Sequence, residues 1–166
     1  HMSAPPGAAG VGGTFSIRIE ESDFEQNTSN GLVVDVDYET FPAWSADVEI
    51  RGCRARANRS AGIHLDLDAE AAVLVHRVVL SSNGGDGLLV TSESFPGTVV
   101  LSSSSLLGNL GAGARASEGN YGILASHGVF AGNSAGGLVS EIVPSSAASG
   151  IAYVQSDPWT NVRTEG

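Results

Sequence analysis

Lysine is absent from the 166 residues, and cysteine is represented only by Cys53. One cysteine excludes an internal disulfide and any metal site built on several thiolates. Positive charge rests on arginine alone, eight residues against eighteen acids. The formal charge of −10 disfavours binding to nucleic-acid phosphates and to anionic membranes. Long hydrophobic runs are missing too: stretches such as Leu32–Val34 and Ala71–Val75 are far too short to insert in a membrane. No basic-then-apolar segment opens the chain, and His1-Met2 reads as a tag remnant. No window shows sustained helical spacing of apolar residues.

What is abundant is glycine, 22 residues, and much of it recurs in register. Asn27, Asn58, Asn83, Asn109 and Asn133 are each followed four positions later by glycine, at Gly31, Gly62, Gly87, Gly113 and Gly137. Ten before each Asn stand Ile17, Val48, Val73, Val99 and Ile123; eight before stand Ile19, Ile50, Val75, Leu101 and Ala125. Three before come Phe24, Ala55, Leu80, Leu106 and Phe130, and five after come Leu32, Ile63, Leu88, Ala114 and Leu138. Val34, Leu65, Val90, Ala116 and Ser140 follow at seven. A sixth, incomplete unit fits Ile151, Tyr153 and Asn161.

Alternation at period two predicts short strands with one face inward, so each unit reads as strand, Asn turn, strand and loop. A unit of this size cannot bury its apolar face alone; stacking successive units makes a continuous core. The expected fold is therefore all-β, a solenoid of about six coils over 14–166 after a flexible lead-in, 1–13. An antiparallel sandwich is the rival, but it does not explain why whole units repeat in register. The Asn column is expected to form a ladder of stacked amides and to supply the left-handed backbone of a turn. The glycine serves either a positive φ or a close backbone approach.

The pattern apolar-x-apolar, then N-x-x-x-G-apolar-x-apolar, resembles the right-handed parallel β-helix of the pectate-lyase-like superfamily, across Phe15 to Asn161. The resemblance implies a secreted or cell-surface protein. Its enzymes use calcium-binding acids with a basic residue, or asparagine-aspartate, paired-aspartate and glycine-histidine motifs. Neither set is intact: Leu67 separates Asp66 from Asp68, lysine is absent, and His127-Gly128 matches half of one motif.

Once the register is fixed, outward positions become readable as columns. Arg18 should neighbour Glu49, and Glu20 should neighbour Arg51. Leu74, Val100 and Leu124 should form an outward apolar stripe, an interface for a tail, a loop or a partner. Asp35, Asp37, Asp66 and Asp68 should stack, with His64 close by. They read either as a solvated acidic face or as a Ca²⁺ site, since hard cations take several carboxylate oxygens. Tyr38, Phe41, Trp44, Phe95 and Tyr121 fall in inter-strand loops, as packing or as a surface for sugars or a partner.

The functional expectation is a non-catalytic scaffold or adhesion and binding module of an extracytoplasmic bacterial protein. Its partners would be a polysaccharide or a neighbouring protein domain, with self-association through the stripe or the coil ends. The alternative is a polysaccharide lyase or hydrolase working through Asp35, Asp37, His64, Asp66 and Asp68 in an acidic groove. A chain that stops soon after Asn161 also suggests a fragment whose open coil is capped locally, for instance by Trp159.

Overall fold

Alternating Val, Ile and Leu leave one face of each segment apolar, and the chain hides those faces by winding them around a common axis. The computed structural model describes residues 13–37, 44–92, 95, 97–117, 121–140 and 152–153. They form a right-handed parallel β-helix, and the strand pairings between coils are all parallel, which disposes of the sandwich.

Each coil carries three strands. The first holds β1 (Gly13–Glu20), β2 (Asp23–Glu25) and β3 (Leu32–Asp37). The second holds β4 (Trp44–Arg51), β5 (Arg54–Arg56) and β6 (Ile63–Asp68). The third holds β7 (Ala71–His76), β8 (Val79–Ser81) and β9 (Leu88–Thr91). The fourth holds β10 (Gly97–Ser102), β11 (Ser105–Leu107) and β12 (Ala112–Ser117), and the fifth β13 (Tyr121–Ser126), β14 (Val129–Ala131) and β15 (Gly136–Ser140). A sixth opens with β16 (Ala152–Tyr153), where Tyr153 pairs with Ala125 as the repeat requires; Asn161 and Trp159 lie outside the described residues.

Three sheets result. Sheet A runs β1-β4-β7-β10-β13-β16, sheet B β2-β5-β8-β11-β14 and sheet C β3-β6-β9-β12-β15. The inward columns are those of the repeat: Ile17, Val48, Val73, Val99 and Ile123 are Cα partners in turn, as are Phe24, Ala55, Leu80, Leu106 and Phe130. From the second coil onward they are sealed: Ile50, Ile63, Leu65, Leu80, Leu88, Leu106 and Ile123 are all at 0% exposure. Burying such a side chain contributes roughly 1.5–3 kcal/mol, and the stacked columns make that burial continuous.

Two local expectations change. The segment before each Asn is two strands, because a corner intervenes: Glu21, Arg77, Ser103 and His127, with Gly52, occupy one column with φ between 46 and 65°. The second left-handed residue of each coil is the one preceding the Asn (Gln26, Ala57, Ser82, Gly108 and Gly132), while none of the five Asn residues has a positive φ. Asn is thus selected for its amide. Asn27, Asn58, Asn83 and Asn109 each donate Nδ2–H to Oδ1 of the Asn one coil on, at 2.8, 3.0, 2.9 and 2.9 Å. Each also donates its backbone N–H to that same oxygen, at 3.0 to 3.1 Å.

The glycine four residues later is needed for close approach. A Cβ on Gly87 would stand 2.5 Å from the Gly113 carbonyl oxygen and 2.9 Å from the Asn109 amide nitrogen. Real side chains do not approach so closely, so the ladder and the glycine column require each other.

Candidate functional site

Sheet C sets its outward acids in the anticipated block. Asp35 is the register partner of Asp66, and Asp37 of Asp68, while Thr91 follows Asp66 on the other side. The Thr91 hydroxyl donates to Asp66 Oδ1 at 2.9 Å and lies 2.9 Å from His64 Nε2. Since that hydroxyl has one hydrogen, which goes to Asp66, His64 must supply its own proton on Nε2. The three side chains therefore form a chain of donors ending on a carboxylate. His64 Nε2 is a donor there, not a base that would activate the hydroxyl.

Among the described residues, no group of three or more His, Cys, Asp or Glu side chains comes together as an ion would require. The Ca²⁺ site expected from Asp35, Asp37, Asp66 and Asp68 is thus not assembled. Strand geometry explains this: carboxylates two apart on a strand and one coil apart on a flat sheet project side by side, whereas Ca²⁺ takes six to eight oxygens wrapped around one point.

The next cation on this face is committed elsewhere. Arg115 Nε donates to Asp86 Oδ2 at 3.0 Å, and Asp86 Oδ1 accepts the Ala112 N–H at 2.5 Å. The pair ties the third-coil turn to the fourth coil, with side chains only 20% and 12% exposed. Asp86 escapes the repeat pattern because it stands in the variable stretch between Asn83 and Gly87. The available signal is its spacing, three after an Asn, where the next coil carries an Ala strand start.

The aromatic candidates separate. Tyr38 and Phe41 lie outside the described residues, and Trp44 begins β4 opposite Gly13. Phe95 is half-buried and packs against the core; its N–H donates to Ser92 Oγ, which in turn donates to the Phe95 carbonyl at 3.1 Å. Tyr121 is a strand residue of β13, not a loop residue, and is 4% exposed. Its ring lies over Gly97, one coil back, and its hydroxyl reaches a further coil, donating to the Ala69 carbonyl at 2.9 Å and accepting from the Ala71 N–H at 3.0 Å. Burial pushes its pKa above that of ordinary tyrosine. A side chain spanning three coils is a structural tie and has no free face for a sugar. The readable signal is Gly97, the glycine that makes room for it.

Sheet A carries the apolar stripe. Glu49, Leu74, Val100, Leu124 and Ala152 are successive register partners. Leu74 is 37% exposed, and Val100 and Leu124 are half-buried. A shallow groove of about 470 Å³ runs beside Leu74 and Val100, with Asp47 and Glu49 at one end and Thr98 on its flank. At the charged end, Arg18 pairs with Glu49 at 3.6 Å as expected. The second expected pair changes partner: Glu20 takes the Arg18 guanidinium at 2.7 Å, and Arg51 contributes only a longer-range attraction. The hydrogen bond from Arg18 is the main reason the Glu20 carboxyl is held below its ordinary range.

Among the described residues no helix is long and apolar enough to cross a membrane. Comparison with protein-family models, with curated proteins and with solved structures gives no match to this chain.

Proposed function

We propose that this chain is a non-catalytic scaffold and binding module, of pectate-lyase-like type, belonging to a secreted or cell-surface bacterial protein. The observation that carries this reading is the unbroken Asn ladder through five coils. It ties three continuous sheets into a stiff rod that displays outward side chains at a fixed step of roughly 4.8 Å. A partner that reads such a surface needs little induced order, because the face is already rigid. The stripe of Leu74, Val100 and Leu124 is the face that offers desolvation energy, and a polysaccharide or a neighbouring protein domain is its partner.

The test has two arms. Calorimetric titration with Ca²⁺ and incubation with a panel of uronate polymers should give neither saturable heat nor chain cleavage. Saturable Ca²⁺ binding lost in Asp66→Ala, together with cleavage, would replace the scaffold by a polysaccharide-active enzyme. In the second arm, retention of the chain on immobilised polysaccharides or on a domain library should fall at least about tenfold in Leu74→Glu/Leu124→Glu. Retention unchanged by that variant would remove the stripe from the function.

A further inference from the structure

The first coil is built like the others, but among the described residues nothing stacks on its outer side. Phe15, Ile17, Ile19, Phe24 and Leu32 point inward yet are only partly buried. Their partners one coil on, Ala46, Val48, Ile50, Ala55 and Ile63, are between 0% and 2% exposed. β1, β2 and β3 each stand at the edge of their sheet, so among the described residues one side of each has no strand partner. The Asn ladder is open at the same end. Asn27 donates both its N–H and its Nδ2–H to Asn58, but among the described residues nothing donates to Asn27 Oδ1, the atom that receives two hydrogen bonds at Asn58, Asn83, Asn109 and Asn133.

The rim of this open end is charged, and the molecule itself shows what complements it. Around sheets A and B the first coil presents Glu20, Asp23 and Glu25, whose register partners in the second coil are Arg51, Arg54 and Arg56. Arg56 meets Glu25 at 3.1 Å. The acids thus face a basic coil on one side and the open end on the other. A second copy meeting this end with its own first coil would set acid against acid, which disfavours that pairing. Edge strands that avoid pairing carry inward charges, prolines or bulges; β1, eight residues long, has only Arg18 and Glu20, both outward, and no proline.

We propose that the open end of the first coil is a strand-docking surface for a protein partner. The partner would lay down strands with apolar residues inward and arginine or lysine outward, and would donate an amide N–H to Asn27 Oδ1. Backbone pairing along β1 supplies affinity and the acidic rim supplies selectivity, the division of labour of strand addition. This inference goes beyond the scaffold reading and does not depend on the stripe.

The experiment uses the full chain and two labelled nine-residue peptides, one alternating valine with arginine and one alternating valine with glutamate. Fluorescence anisotropy should show the basic peptide binding at least about tenfold more tightly, with the difference eroded by salt. Amide hydrogen exchange should slow in β1–β3 when it binds. Asp23→Lys/Glu25→Lys changes two exposed rim residues without touching the core and should abolish the preference. Equal binding of the two peptides would overturn the proposal. So would protection, in the free chain, of the β1 amides that are not donated to β4, which would mean that the chain covers its own edge, or a concentration-dependent doubling of mass, which would make a second copy the occupant.

Discussion

Replacing Asn83 by alanine tests whether the ladder carries the stability of the rod. Asn83 is at 0% exposure. Four hydrogen bonds depend on its side chain: Oδ1 accepts from Asn58 N–H at 3.1 Å and Asn58 Nδ2 at 3.0 Å, while Nδ2 donates to Ala55 O at 3.1 Å and Asn109 Oδ1 at 2.9 Å. At about 1 kcal/mol net per bond, with a buried Asn58 N–H left unpaired, the loss is about 4 kcal/mol or slightly more. That is a large share of the ~5–15 kcal/mol by which a domain is stable. Asn27→Ala supplies the internal control, because among the described residues its side chain makes one bond, Nδ2 to Asn58 Oδ1 at 2.8 Å, in an exposed position. It should cost under about 1 kcal/mol.

Urea unfolding followed by far-ultraviolet circular dichroism measures both. Because coils couple only to their neighbours, a break in the third coil should also broaden the transition or split it, whereas a change in the first should not. If Asn83→Ala and Asn27→Ala cost the same, within about 0.5 kcal/mol, the ladder is an accompaniment of the turn and not its cause.

Gly87→Ala should destabilise by about 1–3 kcal/mol, since its Cβ would meet the Gly113 carbonyl at 2.5 Å. Gly108→Ala, with φ of 62° and nothing within 4 Å of the added Cβ, should cost only about 1 kcal/mol of backbone strain; thermal unfolding compares the two. Tyr121→Phe should lose about 1–2 kcal/mol with the bonds to Ala69 and Ala71. Tyr121 has a raised pKa in the fold, so its contribution is whole below the ordinary tyrosine value and falls as pH rises through the raised one. The unfolding free energy followed from pH 8 upward should therefore fall less steeply in Tyr121→Phe. Arg115→Met should cost about 1–3 kcal/mol, because it strands the part-buried Asp86, while Arg56→Ala at the exposed Glu25 pair should cost under about 1 kcal/mol by the same denaturation assay.

Register is legible in the sequence because the same residue types return at the same offset from each Asn. The repeat alone makes neighbours of Arg18 and Glu49, and of Leu74 and Val100. The corner between the first two strands is written less plainly. Columns eight and three before the Asn are both inward but an odd number apart, so strict alternation fails between Ile50 and Ala55, where Gly52 makes the turn. Propensity assigns the left-handed residue to Asn, but stacking of the amide outweighs propensity and passes the positive φ to Gln26, Ala57 or Ser82. Adjacency of Asp35 and Asp66 is legible too, but not the direction of their side chains, and a metal site depends on convergence more than on adjacency. The burial of Tyr121 is hidden because a position next to a loop suggests exposure, and only the packing of its ring over Gly97 shows where the side chain goes.

Inward columns are constrained by two neighbours each, and they stay largely apolar through the described coils, with Ser92 and Ser104 as buried exceptions. Outward columns are not, and they change character along the axis: Arg18 and Glu49 give way to Leu74, Val100 and Leu124 on sheet A, and Asp35 and Asp66 to Thr91 on sheet C. Because coil-to-coil coupling is local, an outward change in the fourth coil does not disturb the charge pairing of the first two. The polar first coils and the apolar later ones are therefore separable surfaces on one rod. Charge substitutions at Asp23 should leave contacts at Leu124 unchanged, and the converse should hold, so binding free energies of the single and combined variants should add within about 0.5 kcal/mol. Non-additive values would mean that the two surfaces communicate, which a ladder of rigid coils does not permit.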